Sequence, residues 1–527
     1  TTANNNTAMG NAALAANTTG ASNTGVGKSA LTLNTTGTRN TGLGHNVLAA
    51  NTTGNYNTAA GYTALDSNTT GASNVAIGDT ALTANTTASN NTSLGYASMQ
   101  YNTTGAVNVA VGTYALQVNT TGSANTAVGM QAMTANTTGY NGTGLGYQAA
   151  KSNTTGAQNT AVGTVALFSN TTGSSNVGVG TSALYKTTAS NNTGVGFEAG
   201  YYLTSGTGNL ALGWQALKGT ADTTTSNNTA LGYQALTALT SGAQNTAVGH
   251  ASMRGTTTAS NNTAFGYATL LNNTTGQLNT AIGMNSLYSC TTGGDNTAVG
   301  YTALHLSTTG ARNTAVGRGA GYNITTASEN VMMGENCGSG ATTASQNVLL
   351  GDNAATSLTT GNNNIIIGDN SSPNGATNTQ SIVIGTNGST GKGSTTGFIN
   401  PNGGGVYQGN NSSSWSTTSD RRIKKNIEDN NVGLDAIMQV RVRNFEYRNK
   451  DEITDWSGTE KDGVHVGSQG VKLGVIAQEI QEVLPDVVET LESGCMSVNP
   501  DNMTWYLVNA VKELSAKVAE LESKLGE

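Results

Sequence analysis

A glycine returns every seventeen residues from Gly10 to Gly385, and 20 of the 22 intervals in that series have this length. The exceptions are 16 residues, Gly180 to Gly196, and 19 residues, Gly213 to Gly232. A fixed period of this kind means one unit stacked on copies of itself, each covering its neighbour's apolar surface. Seventeen residues leave no room for a helix with its connections, so the unit is a short β coil with two turns. Residues 125–141 carry the commonest form: Asn125-Thr126-Ala127-Val128-Gly129, two variable residues, Ala132-Met133, two more, then Asn136-Thr137-Thr138-Gly139. Glycine at those turns serves either a positive φ or a close approach of two backbones, and the sequence does not separate the two.

In a strand, alternate residues share a face, which puts Thr126 with Val128 and Asn125 with Ala127. Stacked coils lie about 4.8 Å apart, so equivalent positions form ladders. Two apolar ladders read as core. One is Val111, Val128, Leu145, Val162 and Val179; the other is Leu14, Leu31, Leu48, Leu65, Leu82, Met99, Leu116 and Met133. The Asn and Thr columns read as amide and hydroxyl ladders that satisfy backbone groups at the turns. Twenty-three coils would make a rod about 110 Å long. Ala, Val and Leu are the only regular apolar residues, so each core is thin, which predicts several chains wrapped together.

Charge divides the chain. Residues 1–418 hold nine Lys+Arg and nine Asp+Glu, whereas residues 419–527 hold 13 and 20, which gives the net charge of −7. The expected parts are a β-solenoid over 1–388, a Gly/Ser/Asn-rich stalk or linker over 389–418, and a C-terminal domain over 419–527. The array has no basic stripe, which argues against a nucleic-acid partner. No run of about 18 apolar residues exists to span a membrane. Cys290, Cys337, Cys495 and the four histidines are dispersed, so neither a metal nor a cofactor is expected. Thr1 is not an initiator, so a further N-terminal portion is expected to precede it.

The repeat resembles the head repeats of trimeric autotransporter adhesins through Asn74-Val75-Ala76-Ile77-Gly78, which implies a trimeric parallel β-roll. Ser419-Asp420-Arg421-Arg422-Ile423-Lys424-Lys425-Asn426-Ile427 resembles the opening motif of the intramolecular chaperone domains of phage endosialidases and related tail fibres. The likeness continues at Gly433-Leu434-Asp435-Ala436-Ile437 and Phe445-Glu446-Tyr447, and is strongest from Gly474 to Val488. Domains of that family trimerise, nucleate folding of the upstream fibre and then sever themselves. The resemblance implies cleavage between Ser419 and Asp420, with Ser419 as nucleophile and Lys424 as general base. A lysine removes a serine's proton only when burial or nearby cations keep it unprotonated. Arg421, Arg422 and Lys425 are the cations at hand, and Lys425 is the rival base. Attack by a serine on its own carbonyl closes a strained four-membered ring, so routes within a chain and between chains both stand open. Without the resemblance, Lys424 and Lys425 read as a solvated face.

Oligomerisation has a separate sequence signal. Leu507, Leu514 and Leu521 repeat at seven, as do Val511, Val518 and Leu525, offset by four. This is a coiled-coil seam over nearly three heptads, with a helix packed on its own domain as the alternative. The fold expected is therefore mainly β: a trimeric parallel β-roll or β-solenoid of 17-residue coils, then a small α+β chaperone domain ending in a trimeric coiled-coil helix. The functional reading is a bacteriophage tail fibre or spike, made in the host cytoplasm and carried on the virion. Its expected partners are its own copies, other virion proteins, and a host-surface receptor such as a polysaccharide. Phe197, Trp214, Tyr233, Tyr267 and Tyr301 each follow a repeat glycine and form one candidate contact edge, unless they are simply turn fillers. No carboxylate pair for glycan hydrolysis stands out in the array, so self-cleavage is the one expected chemistry. The alternatives are a cell-surface trimeric adhesin, an ice-binding solenoid and a glycan-degrading tailspike.

Overall fold

The computed structural model describes residues 3–400, 406–408, 416–417, 421–448, 470–490 and 496–526. The chain divides into two units, residues 1–418 and 419–527. In the first, twenty-four parallel strands run from β1 (Thr7–Met9) to β24 (Gly397–Asn400), one per coil. Each pairs with its equivalents one coil away, as Ala127 does with Ala110 and Gly144. Beyond β24, β25 (Val406–Gln408) and β26 (Ser416–Thr417) add on antiparallel.

The strand's two faces divide differently from the expectation. Ala127 is fully buried while Val128 is 38% exposed, so the ladder of Val111, Val128, Leu145, Val162 and Val179 lies on the outside of the coil. The reason is space. Leucines and methionines of the opposite wall fill the narrow interior, and Leu31, Leu48, Leu65 and Leu116 are fully buried there as expected. A Cβ added to Gly144, at the inward strand position, would sit 2.7 Å from Met133 Cγ. Only Ala, Gly or Ser fits at that position until Met332, Leu349 and Ile366, where the filling changes walls. The facing positions there are Gly321, Gly338 and Ala355, and a Cβ on Gly338 would meet Leu349 Cδ1 at 2.8 Å.

The leucine column itself has positive φ: Leu31 +54°, Leu48 +51°, Leu65 +55°. A left-handed leucine costs about 1–2 kcal/mol. Complete burial of its side chain contributes about 1.5–3 kcal/mol, enough to offset it. The seventeen-residue glycine answers the earlier ambiguity, because both reasons apply. Gly112 has φ +131°, and a Cβ there would lie 2.7 Å from Gly129 C.

Two buried asparagine columns line the interior. In one, the side chains donate to the amide oxygen one coil back, as Asn119 Nδ2 does to Asn102 Oδ1 at 2.7 Å, and also to the glycine or alanine carbonyl three residues on. In the other, each side-chain oxygen accepts the backbone N–H one coil later, as Asn108 Oδ1 does from Asn125. The ladders therefore bond coil to coil, beyond the local turn satisfaction expected. The first ladder ends at Asn170, whose buried Oδ1 has no donor because Thr187 follows in that column. Nearby, the buried apolar side chains separate into two contiguous clusters, one from Ala30 to Leu203 and one from Ala199 to Phe398.

The second unit contains α1 (Leu434–Ile437), β27 (Arg443–Phe445), β28 (Lys472–Gly474), α2 (Ala477–Val483), β29 (Val488–Thr490), β30 (Met496–Val498) and α3 (Pro500–Leu525). Ile480, Leu484, Val487 and Tyr506 form its core. Asn499 caps α3, its side-chain oxygen accepting the N–H groups of Asp501 and Asn502 at 3.0 and 3.3 Å, with Pro500 opening the first turn.

Candidate functional site

Stacking turns the aromatic residues of the array into columns. In the column that follows the repeat glycine, Phe197 and Trp214 lie 5.9 Å apart, Trp214 and Tyr233 4.8 Å, Tyr233 and His250 4.9 Å, and His250 and Tyr267 5.0 Å, all stacked with nearly parallel ring planes. Phe197, Trp214, Tyr233 and Tyr267 are 39–53% exposed, so one ring face or edge of each meets solvent. Tyr301, 49% exposed, belongs to the same column but is separated from Tyr267 by Met284. A second column, missed in the sequence, stands five residues after the glycine. It stacks Phe168, Tyr185 and Tyr201, and further along Tyr288, His305 and Tyr322. Its periodicity was available, but Thr, Gln and Lys interrupt it too often for a pattern to stand out.

The outward strand ladder is the second surface. From Met9 to Ile384 all 23 positions just before the repeat glycine are Val, Leu, Ile, Met, Phe or Ala. None is buried in the single chain, and Leu43, Ile77, Leu94, Phe265 and Ile282 are each at least 40% exposed. An ordinary wet face is not apolar at every step, and an apolar strip this long marks an interaction surface.

In the second unit, α3 has two apolar faces. One packs on its own unit through Tyr506 and Ala510; Tyr506 Oη donates to Asp486 Oδ2 at 2.5 Å, and Glu513 Oε2 accepts the Leu434 N–H at 2.8 Å. The other carries Leu507, Val511, Leu514, Val518, Leu521 and Leu525, which are 46–86% exposed. Packing on its own unit therefore accounts for Tyr506 and leaves the heptad residues uncovered.

Ser419 and Asp420, the expected nucleophile and scissile pair, lie outside the described residues, as does Cys495. Lys424 follows a 3-10 turn at Arg421–Ile423, its N–H donating to Arg421 O at 3.3 Å. The side chains of Arg421, Arg422, Lys424 and Lys425 are all exposed. One chain thus gathers the cations but does not bury the lysine. Among the described residues there is no cluster of three or more His, Cys, Asp or Glu able to hold a metal, and no helix is long and apolar enough to cross a membrane.

Residues 419–489 match the family described as chaperone of endosialidase. Related sequences include Myelin regulatory factor homolog 1 of Caenorhabditis elegans, 28% identical over 109 residues, which is 21% of this chain and 11% of that protein. The long tail fiber protein Gp37 of Enterobacteria phage K3 is 31% identical over 144 residues, 25% of this chain and 12% of that protein. Its counterpart in Enterobacteria phage T2 is 32% identical over 109 residues, 19% of this chain and 8% of that protein. The chain thus spans about a tenth of the length of these relatives. No solved structure gives a significant match. The chaperone match opens at the expected Ser419 and ends within β29, ahead of β30 and α3.

Proposed function

We propose that this chain is a trimeric bacteriophage tail fibre or spike whose C-terminal unit assembles three copies and then cuts itself off between Ser419 and Asp420. The observation that carries the reading is a pair of uncovered apolar surfaces, the outward strand ladder and the heptad face of α3. A ladder repeating at each coil over the whole array is matched in period and length by another copy of the same array. The heptad face independently asks for other helices of its kind. Similarity to two phage tail fibre proteins supports a virion role, with attachment to a host surface as the task of the rod and other virion proteins among its partners.

The division of labour follows from register. Near-identical coils make slipped pairings between chains close in energy. A domain that aligns three chains at one end supplies the register and removes most of the loop-closure cost of nucleation. In the cut, Ser419 Oγ gives its proton to Lys424 and attacks the Ser419 carbonyl carbon of its own or a neighbouring chain. The Ser419–Asp420 C–N bond breaks as Lys424 returns the proton to the new amine of Asp420, and water then hydrolyses the ester to leave a Ser419 carboxylate and a free hydroxyl. Lys424 is exposed in one chain, so its deprotonation comes either from the neighbouring cations or from burial on assembly, and in the second case the cut reports completed trimerisation. Removal of the assembler then leaves a rod held by its barrier to unfolding.

The test is mass spectrometry and light scattering on freshly expressed protein. Wild type is expected as a trimer with a released fragment beginning at Asp420. Ser419→Ala should be trimeric and intact, and the double variant Leu514→Asp, Leu521→Asp monomeric and intact. Cleavage in Ser419→Ala, or a wild type that stays monomeric, refutes the proposal.

A further inference from the structure

Between the two aromatic columns runs a groove, and over two coils its floor drops. The floor is the position two residues after the repeat glycine. Upstream it is filled by an amide chain in which Gln234 donates to Gln215 at 3.1 Å and Gln215 to Glu198 at 2.8 Å. At the next two coils the floor residues are Ala251 and Ala268, each 4% exposed, and then Asn285 closes the dip. The result is a niche of about 520 Å3, and two coils give it a length of roughly 10 Å. His250 and Tyr267 form one wall as a stacked pair 5.0 Å apart, and Tyr288 and His305 form the other at 5.1 Å.

Its polar groups are few and convergent. Arg254 is exposed at the rim, and no ion pair engages it among the described residues. Asn285 Oδ1 is buried with no donor among the described residues, while Asn285 O faces His305 Nδ1 at 3.1 Å. No Asp or Glu lines the niche. Flat aromatic walls suit the C–H faces of sugar rings. A guanidinium suits a carboxylate, which it can hold through two parallel hydrogen bonds. An unsatisfied acceptor suits a sugar hydroxyl, because a buried acceptor left bare is costly.

We infer that this niche binds an acidic saccharide, a pyranose carrying a carboxylate, stacked on the aromatic walls with its carboxylate on Arg254 and a hydroxyl donating to Asn285 Oδ1. The inference deepens the attachment reading and rests on it for its biological role, though the binding itself is measurable apart from any cell.

Two substitutions probe the niche with residues that other coils already carry in the same columns. Tyr114 occupies the floor column elsewhere in the array with φ +60°, so Ala251→Tyr fills the niche with a side chain the fold accepts. Gln100 and Gln117 occupy the column of Arg254, so Arg254→Gln removes the charge alone. The probes are tetrasaccharides of glucuronate, galacturonate and mannuronate, with their carboxyl-reduced forms, titrated calorimetrically into the full chain. At least one uronate is expected to bind at least tenfold more tightly than its reduced form. Arg254→Gln should erase that preference and Ala251→Tyr should abolish binding. The inference is overturned if no uronate is preferred over its reduced form, or if binding survives Ala251→Tyr. Uronate binding by a rod that fails to block phage adsorption would retire the attachment reading alone. Adsorption blocked equally by wild type and Ala251→Tyr, without uronate preference, would retire the niche alone.

Discussion

Replacing Asn119 by Leu tests whether the amide ladder is one cooperative object or a row of separate bonds. Asn119 donates to Asn102 Oδ1 at 2.7 Å and to Gly122 O at 2.8 Å, and accepts from Asn136 Nδ2 at 2.8 Å. After the substitution Gly122 O keeps the Asn108 side chain and Asn136 keeps Gly139 O, but the buried Asn102 Oδ1 has nothing left. Three lost bonds and one buried orphan acceptor amount to about 2–4 kcal/mol. The triple variant Asn102→Leu, Asn119→Leu, Asn136→Leu also strands one acceptor, Asn85 Oδ1, because Gly105 O and Gly139 O keep Asn91 and Asn125. Leucine is acceptable to the column, since Leu203 and Leu239 sit there fully buried. Seven bonds go, but two of them join replaced partners, so the cost should be about 3–6 kcal/mol, against roughly 6–12 kcal/mol if the three sites acted independently. Hydrogen exchange of peptides covering residues 102–139 reads the local opening free energy, which a global melt of a repeat array would blur. A triple variant costing close to three times the single one refutes the reasoning.

The change of walls at Met332 predicts a compensating pair. Met332→Ala should cost about 2–5 kcal/mol as a cavity, and Gly321→Leu about 1–3 kcal/mol as overpacking. Together they should cost less than Met332→Ala alone, measured by exchange over residues 315–340; strict additivity would count against the volume argument. Burial pushes the thiols of Cys290 and Cys337 up to about 11 and about 12. Because burial disfavours the thiolate, neither should react at pH 8. In a Cys495→Ser background a thiol reagent should find none in the native protein and two after denaturation. Native labelling at pH 8 would contradict the burial.

Much of this architecture was legible because a seventeen-residue period admits few structures. The leucine column was read correctly as core, since a large apolar side chain at every coil has one natural destination. The valine column was misread for an equally physical reason. Val128 and Ala127 are both apolar strand neighbours, and sequence alternation says they face opposite ways without saying which way is inward. The decisive fact was the volume already taken by Met133 and its equivalents across the coil. The exposed apolar face of α3 was legible in its heptads, whereas the niche at Ala251 was not. It arises where three columns of different composition happen to coincide, and no single-column period announces that.

The place where the first amide ladder stops, near Asn170, has a mechanical consequence. A one-dimensional stack opens from its ends, and an opening travels until it meets a weaker junction at which the remainder no longer depends on what was lost. Here the unsatisfied amide, the shortened and lengthened coils, and the parting of the two apolar clusters fall within a few coils of each other. An opening that arrives from the β1 side would spend itself there. The aromatic stacks from Phe197 onward would remain standing behind this firebreak.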